Sequence, residues 1–203
     1  MTKIKLCGLS RPEDIAAANA LKPDYIGFVF AEKSKRRVTP ETAAALRAAL
    51  DPAVPAVGVF VNEDAETVAA LLNSGTIQIA QLHGGEDEAY IHTLRGLTDK
   101  DIWKAFRVNG PEDLKAAARS PADRVLLDNG PGGTGERFDW GLLRDFQARP
   151  YLLAGGLGPE NVGAAVRALR PWAVDVSSGI ETGGQKDEKK MRDFVLAVRE
   201  AAL

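Results

Sequence analysis

Short runs of apolar residues, rich in β-branched side chains, recur at regular intervals along the whole chain. Polar residues, glycine or proline bound each run, a pattern typical of strands buried on both faces. The runs are too short for buried helices. The predicted strands are Ile4–Leu6, Tyr25–Phe30, Ala56–Val61, Ile77–Leu82, Ile102–Phe106, Arg124–Leu127, Tyr151–Ala154 and Ala173–Val176.

The segments between these runs have helical spacing and carry helix start signals. Most signals combine a proline with acidic residues, which suits the free N–H groups and the positive dipole end of a first turn. The signals lie at Arg11–Asp14, Thr39–Glu41, Asp64, Gly110–Asp113 and Gly158–Asn161. Strands and helices are therefore predicted to alternate along the chain.

This alternation predicts a parallel sheet covered by helices. Eight such units can close into a (β/α)8 barrel, the TIM-barrel architecture. A doubly wound open sheet is the alternative, but it usually has a glycine fingerprint after its first strand, where this chain has Cys7–Ser10. Because no linker or low-complexity segment divides the chain, we expect residues 1–203 to form a single α/β barrel domain.

The amino-acid composition limits the kinds of molecule that this protein is expected to bind. The 203 residues include 26 basic and 28 acidic side chains, and the net charge of -2 gives no reason to expect a nucleic-acid or anionic-membrane partner. The chain shows no signal peptide and no apolar stretch of membrane-spanning length. A single cysteine, Cys7, excludes an internal disulfide and fits a reducing compartment. We therefore expect a cytoplasmic protein with a small-molecule ligand, as a monomer or a homodimer.

Glycine clusters after the later strands, where a barrel of this type forms its active-site face. Gly155 and Gly156 follow strand seven, and Ser178 and Gly179 follow strand eight. Glycine lets backbone N–H groups approach an anion closely, and the loops after these two strands commonly bind phosphate. Tight turns without a ligand are the alternative for either loop alone, but the pair favours a phosphate site.

Two residues at strand ends are candidates for acid–base chemistry. Asp128 closes the sixth strand before a glycine-rich segment that includes Gly133 and could serve as a lid. The alternative for Asp128 is a turn or helix-capping aspartate. Cys7 ends the first strand and is either a base of lowered pKa or a small apolar residue of the core.

Two further side chains fall on the same face. Arg36 lies in the basic segment 33–37 after strand two, and its guanidinium could bind a carboxylate through two hydrogen bonds. A solvated loop is the alternative for this segment. His83 follows strand four and is either a base, an orienting group or a hydrogen-bonded scaffold residue.

Motifs in order along the chain resemble the phosphoribosylanthranilate isomerase family. Each is weak alone, but their order and their positions at strand ends make the set specific. They are Ile4–Leu9, Gly58–Asn62, Gln81–Gly84, Lys104–Phe106, Leu127–Asp128 with Gly132–Gly135, Ala154–Leu157 and Asp175–Glu181, and Lys186–Asp187 before the last helix is also similar. Asn129 and Gly183 stand where serine and proline are frequent in the family.

The resemblance implies an Amadori rearrangement of N-(5-phosphoribosyl)anthranilate in tryptophan biosynthesis, with no cofactor and no metal. It implies that Cys7 is the general base and Asp128 the general acid. It also places Arg36 at the anthranilate carboxylate, and Gly155, Gly156, Ser178 and Gly179 at the phosphate. Since base and acid have opposite tasks, we expect the pKa of Cys7 to be lowered.

Two alternatives to this function remain. The related sugar-phosphate isomerase of histidine biosynthesis performs the same chemistry, but its strand one is expected to end in aspartate, where this chain has Cys7. A non-catalytic phosphosugar-binding barrel would keep the phosphate loops, but the presence of Cys7, Asp128 and Arg36 argues against it.

Overall fold

Eight parallel strands form a closed barrel in the computed structural model, which describes residues 1–128, 141–144 and 146–201. Each strand pairs with the next along the chain, and the last pairs with the first, so the TIM-barrel prediction is confirmed and the open sheet is excluded. The strands are β1 (Lys3–Cys7), β2 (Tyr25–Val29), β3 (Ala56–Phe60), β4 (Ile79–Leu82), β5 (Asp101–Arg107), β6 (Arg124–Asp128), β7 (Tyr151–Ala154) and β8 (Ala173–Val176).

Helices follow the strands and cover the outside of the barrel. They are α1 (Pro12–Leu21), α2 (Pro40–Ala49), α3 (Ala65–Asn73), α4 (Glu88–Leu97), α5 (Pro111–Arg119), α6 (Gly141–Arg144), α7 (Val162–Leu169) and α8 (Glu188–Ala201). A short hairpin, β9 (Glu181–Thr182) and β10 (Gln185–Lys186), precedes α8. Over the residues that the structure describes, none of these helices has the length and apolarity needed to cross a membrane.

Most helix starts lie where the sequence predicts them. Pro12, Pro40 and Pro111 each occupy the first position of a helix. Asp64 caps α3, because its carboxylate accepts a hydrogen bond from the backbone N–H of Thr67. These residues predict helix starts because proline has no N–H that would need a partner, and a capping acid accepts a bond from an N–H that the helix itself leaves free.

The signal predicted at Gly158–Asn161 lies directly before α7, which begins at Val162 with Asn161 as its N-cap. The backbone N–H of Gly158 donates to the side-chain oxygen of Asn161 at 2.9 Å, and the N–H of Val162 donates to the carbonyl of Gly158. Asn161 thus forms a turn with Gly158 that leads directly into the helix and gives a backbone N–H before it a partner.

Alternate strand residues point to two different cores. One set packs against the surrounding helices and makes the larger hydrophobic cluster. The other set points into the barrel, where Trp103 packs edge-to-face against Tyr25 and Trp172 at ring-centroid distances of 5.1 and 5.9 Å. Filled layers of this kind leave no room for a ligand inside the barrel.

A buried ion pair spans the inside of the barrel between its first and last strands. Lys5 and Asp175 are directly paired residues of β1 and β8, and Lys5 Nζ lies 2.9 Å from Asp175 Oδ2. The Lys5 side chain is fully buried, and Asp175 is 7% exposed. Asp175 Oδ1 has no hydrogen-bond partner among the described residues, so the carboxylate depends on Lys5 for its charge compensation.

We predict that Lys5→Met destabilises the fold by about 3–5 kcal/mol, because it leaves the Asp175 carboxylate buried without its cation. Adding Asp175→Leu should recover a large part of this loss. Urea unfolding at neutral pH measures both effects. Lys189→Met, which breaks the exposed pair with Asp193, is the control and should leave the midpoint nearly unchanged. An equally small effect of Lys5→Met would contradict the structural role of the buried pair.

Candidate functional site

The carboxyl ends of the strands meet at one mouth of the barrel, and most of the predicted site residues lie there. Cys7 and Asp128 are the last residues of β1 and β6, and His83 directly follows β4. Arg36 lies in the loop after β2. Gly155 and Gly156 follow β7, and Ser178 and Gly179 follow β8. Gly133 and the predicted lid fall outside the described residues, so the structure places all the other predicted residues at one end.

The thiol of Cys7 lies in the uppermost layer of the barrel interior. It packs against Val29 and Val59, and only 6% of the residue is exposed. Gly27, its register partner on β2, makes room for it, because a Cβ at that position would lie 2.7 Å from Cys7 Sγ. The thiol therefore closes the filled interior at the floor of the mouth.

Burial raises the pKa of the Cys7 thiol above its ordinary value, so the expectation of a lowered pKa was wrong. The ammonium of Lys5 lowers it by charge attraction and by a hydrogen bond, while Asp175 raises it further. The effect of burial on the pKa is the largest, because the thiolate would lose its hydration in an almost closed layer. Burial by itself would also lower the pKa of Lys5, but Asp175 and Cys7 raise it, so Lys5 remains a cation beside the thiol.

The ring of His83 lies between the side chains of Asp128 and Gln81. His83 Nε2 lies 3.4 Å from Asp128 Oδ2, and His83 Nδ1 lies 3.0 Å from the side-chain nitrogen of Gln81. An amide nitrogen can only donate, so Nδ1 accepts and a neutral ring carries its proton on Nε2, facing Asp128. His83 thus lies between Gln81 and Asp128, with its Nε2 facing the carboxyl of Asp128.

Arg36 makes a two-bonded ion pair with Glu181 of the hairpin after β8. Its Nε and Nη2 lie 2.5 and 2.7 Å from the two carboxylate oxygens. The hydrogen bonds to Glu181 raise the pKa of Arg36 despite its partial burial. Arg36 is therefore an ordered cation at the mouth, and the alternative of a purely solvated loop does not describe it.

Lys186 shares the same carboxylate. Its Nζ lies 2.6 Å from Glu181 Oε1 and donates to the backbone carbonyl of Ser177 at 2.9 Å. Burial lowers the pKa of Lys186, an effect that Glu181 opposes. Burial would raise the pKa of Glu181, but its hydrogen bonds to Arg36 and Lys186 lower it, so its carboxylate is charged at neutral pH.

The loops after β7 and β8 touch each other at the mouth. Gly155 and Gly156 have φ angles of 90° and 61°, a conformation that favours glycine, and their N–H groups have no acceptor among the described residues. A Cβ at Gly179 would overlap the carbonyl of Leu157, so only glycine allows this approach. The loops thus offer free backbone donors to an anion.

Sequence reasoning missed the charged residues beneath and beside the site. Lys5 and Asp175 stand in the middle of apolar strands, and such buried charges are nearly always paired, so their pattern was an available signal. Glu181 had no comparable signal, because its partner Arg36 is 145 residues away. In the described part of the chain, no group of three or more His, Cys, Asp and Glu side chains could coordinate a metal ion.

Comparison with known proteins gives matches over nearly the whole chain. Residues 4–197 match the family model described as N-(5'phosphoribosyl)anthranilate (PRA) isomerase. The N-(5'-phosphoribosyl)anthranilate isomerase of Acetivibrio thermocellus is 47% identical over 213 residues, which cover 99% of this chain and 97% of the relative.

Solved structures agree with the family model. The phosphoribosyl anthranilate isomerase of Thermotoga maritima is similar with a TM-score of 0.91 and 35% identity, covering 98% of this chain and 100% of that one. A phosphoribosyl anthranilate isomerase in complex with reduced 1-(o-carboxyphenylamino)-1-deoxyribulose 5-phosphate is similar with a TM-score of 0.87, at the same identity and coverage. The chain therefore belongs to the N-(5'-phosphoribosyl)anthranilate isomerase family.

Proposed function

We propose that this protein catalyses the Amadori rearrangement of N-(5-phosphoribosyl)anthranilate to 1-(2-carboxyphenylamino)-1-deoxyribulose 5-phosphate, the isomerase step of tryptophan biosynthesis. The observation that carries the proposal is the meeting of Cys7, Asp128 and Arg36 with the two glycine loops at one mouth, in a chain of this family. We also propose that the reaction takes place in the cytoplasm.

The phosphate is proposed to bind between the loops after β7 and β8. Free N–H groups at Gly155 and Gly156 and the close approach of Gly179 support this role. In the strand order these loops lie between β6 and β1. A sugar anchored there by its phosphate would extend between Asp128 on one side and Cys7 on the other, as acid–base chemistry on one ring requires.

Asp128 is proposed to act first, as the general acid. Its protonated carboxyl donates to the ring oxygen of the furanose while the bond from that oxygen to C1 breaks, which produces an open-chain iminium ion. The Nε2–H of His83 contacts the carboxyl and orients it for this transfer. Ring opening leaves a positive charge conjugated with the nitrogen, which makes the hydrogen on C2 acidic.

Cys7 is proposed to remove that hydrogen as its thiolate. The electron pair of the C2–H bond then forms a C1–C2 double bond and neutralises the iminium, and the resulting enolamine tautomerises to the ketone. Because burial raises the pKa of the thiol, the thiolate is a minor species at neutral pH. The nearby ammonium of Lys5 and the newly formed iminium both favour it by charge attraction.

The direct test is to mix the purified protein with freshly prepared phosphoribosylanthranilate and to follow the loss of anthranilate fluorescence. The proposal expects rapid, enzyme-dependent loss. The aminoaldose phosphate of histidine biosynthesis is the comparison substrate, and it should be turned over far more slowly. Binding of both phosphosugars without turnover of either would support a non-catalytic barrel and contradict the proposal.

We predict that Asp128→Asn lowers kcat by about 10²–10⁴-fold, the usual cost of losing a general acid, while substrate affinity changes little. The amide keeps the shape of the side chain and its contact with His83 but cannot donate a carboxyl proton. Steady-state kinetics with the fluorescence assay measure this. Asp99→Asn, at an 87% exposed position before β5, is the control. Near wild-type kcat in folded Asp128→Asn would contradict the assignment.

We predict that iodoacetamide labels native Cys7 more slowly than free cysteine at pH 7, because burial raises the pKa of the thiol and the thiolate is the reactive form. Labelling should accelerate about tenfold per pH unit above neutrality until the pH reaches the pKa. Mass spectrometry counts the adducts unambiguously, since Cys7 is the only cysteine. Unfolding in urea should restore ordinary reactivity. Labelling of the native protein faster than free cysteine at pH 7 would contradict the raised pKa.

A further inference from the structure

Glu181 binds two cations at the mouth and has no role in the chemical steps above. We propose that it is a positioning residue that determines specificity for a carboxylate-bearing substrate, because it fixes the guanidinium of Arg36 with one edge free for that carboxylate. The inference rests on the proposed contact of Arg36 with the anthranilate carboxylate. It adds the reason why Arg36 can make this contact in a defined direction.

The hydrogen bonds divide the guanidinium into an occupied and an open edge. Glu181 takes the edge formed by Nε and Nη2, at 2.5 and 2.7 Å. Nη1 has no partner among the described residues, and Nη2 carries a second hydrogen. The edge formed by Nη1 and Nη2 therefore remains open for a second carboxylate with two parallel hydrogen bonds. The side chain of Arg36 is 31% exposed, so the ion pair with Glu181 does not bury it completely.

The aliphatic part of Arg36 is fixed as well. It passes directly over Gly8, where a Cβ would lie 2.6 Å from Arg36 Cδ and 3.1 Å from Ser177 Oγ. Gly8 follows Cys7 in sequence, and its φ of 78° also favours glycine. The guanidinium is thus fixed at both ends of its side chain, beside the strand end that carries the proposed base.

Glu181 is itself fixed, so it can orient Arg36 without following it. Lys186 Nζ binds Glu181 Oε1 at 2.6 Å and also donates to the carbonyl of Ser177 at the end of β8. The side chains of Glu181 and Lys186 are 8% and 2% exposed. Two cations share one carboxylate, which leaves one formal positive charge for a ligand. Removing Glu181 would therefore leave the guanidinium of Arg36 without a fixed orientation. It would also leave Lys186 buried without its counter-ion.

The opposite role for Glu181 is competition, in which its carboxylate occupies the site that the substrate needs. A competitor would occupy the edge formed by Nη1 and Nη2, whereas Glu181 occupies the edge formed by Nε and Nη2. The two roles predict opposite effects of removing the charge. Positioning predicts weaker binding of a carboxylate ligand, and competition predicts stronger binding.

The experiment measures how much the carboxylate contributes to binding. Two ligands are titrated calorimetrically into the full-length protein: reduced 1-(o-carboxyphenylamino)-1-deoxyribulose 5-phosphate, and the same compound without its carboxyl group. The Kd ratio is the Kd of the ligand without the carboxyl group divided by the Kd of the ligand that has it. This ratio isolates the carboxylate contact, because both ligands share phosphate, sugar and ring. Two variants are compared. Glu181→Gln keeps the size of the side chain and its capacity to hydrogen-bond but removes the charge. Glu181→Asp keeps the charge but, being one methylene shorter, holds it farther from Arg36.

We predict that Glu181→Gln reduces the Kd ratio by about tenfold or more, the usual effect of weakening a charge-assisted contact. The Kd of the ligand without the carboxyl group should change little. Glu181→Asp should fall between wild type and Glu181→Gln. Glu188→Gln is the matched control, since Glu188 is an exposed glutamate at the start of α8, and it should leave the ratio unchanged.

Three results would overturn the inference. An unchanged ratio in both Glu181 variants would show that Arg36 does not need Glu181, and a larger ratio in Glu181→Gln would identify a competitor. An equal weakening of both ligands would indicate a merely structural role. Arg36→Ala, with exposed Arg37→Ala as its control, tests the underlying assumption separately. If Arg36→Ala keeps the full ratio, the proposed carboxylate contact itself fails, whatever the Glu181 variants do.

Discussion

The buried ion pair between Lys5 and Asp175 is the interaction on which the arrangement of the site depends. It joins the first and last strands of the barrel from the inside and lies directly beneath the thiol of Cys7. A charge pair without water is stable only when both partners are present and well oriented. The same lysine that compensates Asp175 is also the cation that most strongly lowers the pKa of the proposed base. Closure of the barrel and the ionisation of the thiol are therefore physically linked.

Because of this link, the packing that stabilises the barrel also disfavours ionisation of the thiol. Filled layers make the barrel stable, but the uppermost layer also removes Cys7 from water and raises its pKa. A weaker acid is a stronger base once it is ionised, so a small thiolate fraction is compatible with effective proton abstraction from an activated carbon. The positive charges of Lys5 and Lys186 lower the pKa of Cys7 and so favour its thiolate. The thiolate in turn raises the pKa of Arg36. The surrounding charges thus limit the cost of burial without abolishing it.

Charges at the mouth are arranged in compensating pairs and shared contacts. Glu181 joins the loop after β2 to the hairpin after β8, and Lys186 extends the network to the end of β8. His83 connects the end of β4 to Asp128 at the end of β6. These contacts join loops that are distant in sequence, so the barrel ends form one site instead of eight independent turns. Their side chains are oriented before a ligand arrives, which reduces the entropy lost on binding.

The sequence predicted the architecture well because strand and helix signals are local. Apolar runs marked all eight strands, prolines marked three helix starts, and the signal at Gly158–Asn161 ends at the N-cap of α7. Strand ends also indicated which residues share the mouth. What the sequence could not predict was pairing across the barrel: the partner of Arg36 and the burial of Cys7 depend on closure, which brings together residues far apart in the chain.

In the proposed mechanism, the buried thiol of Cys7 takes the hydrogen from C2 of the substrate. The most direct measurement is single-turnover kinetics with substrate deuterated at C2, in wild type and in Cys7→Ala. We expect a primary isotope effect in the wild-type enzyme and a rate lower by orders of magnitude in Cys7→Ala, with the fold intact. A Cys7→Ala variant that keeps the wild-type rate and isotope effect would contradict it and would assign the proton transfer to another group.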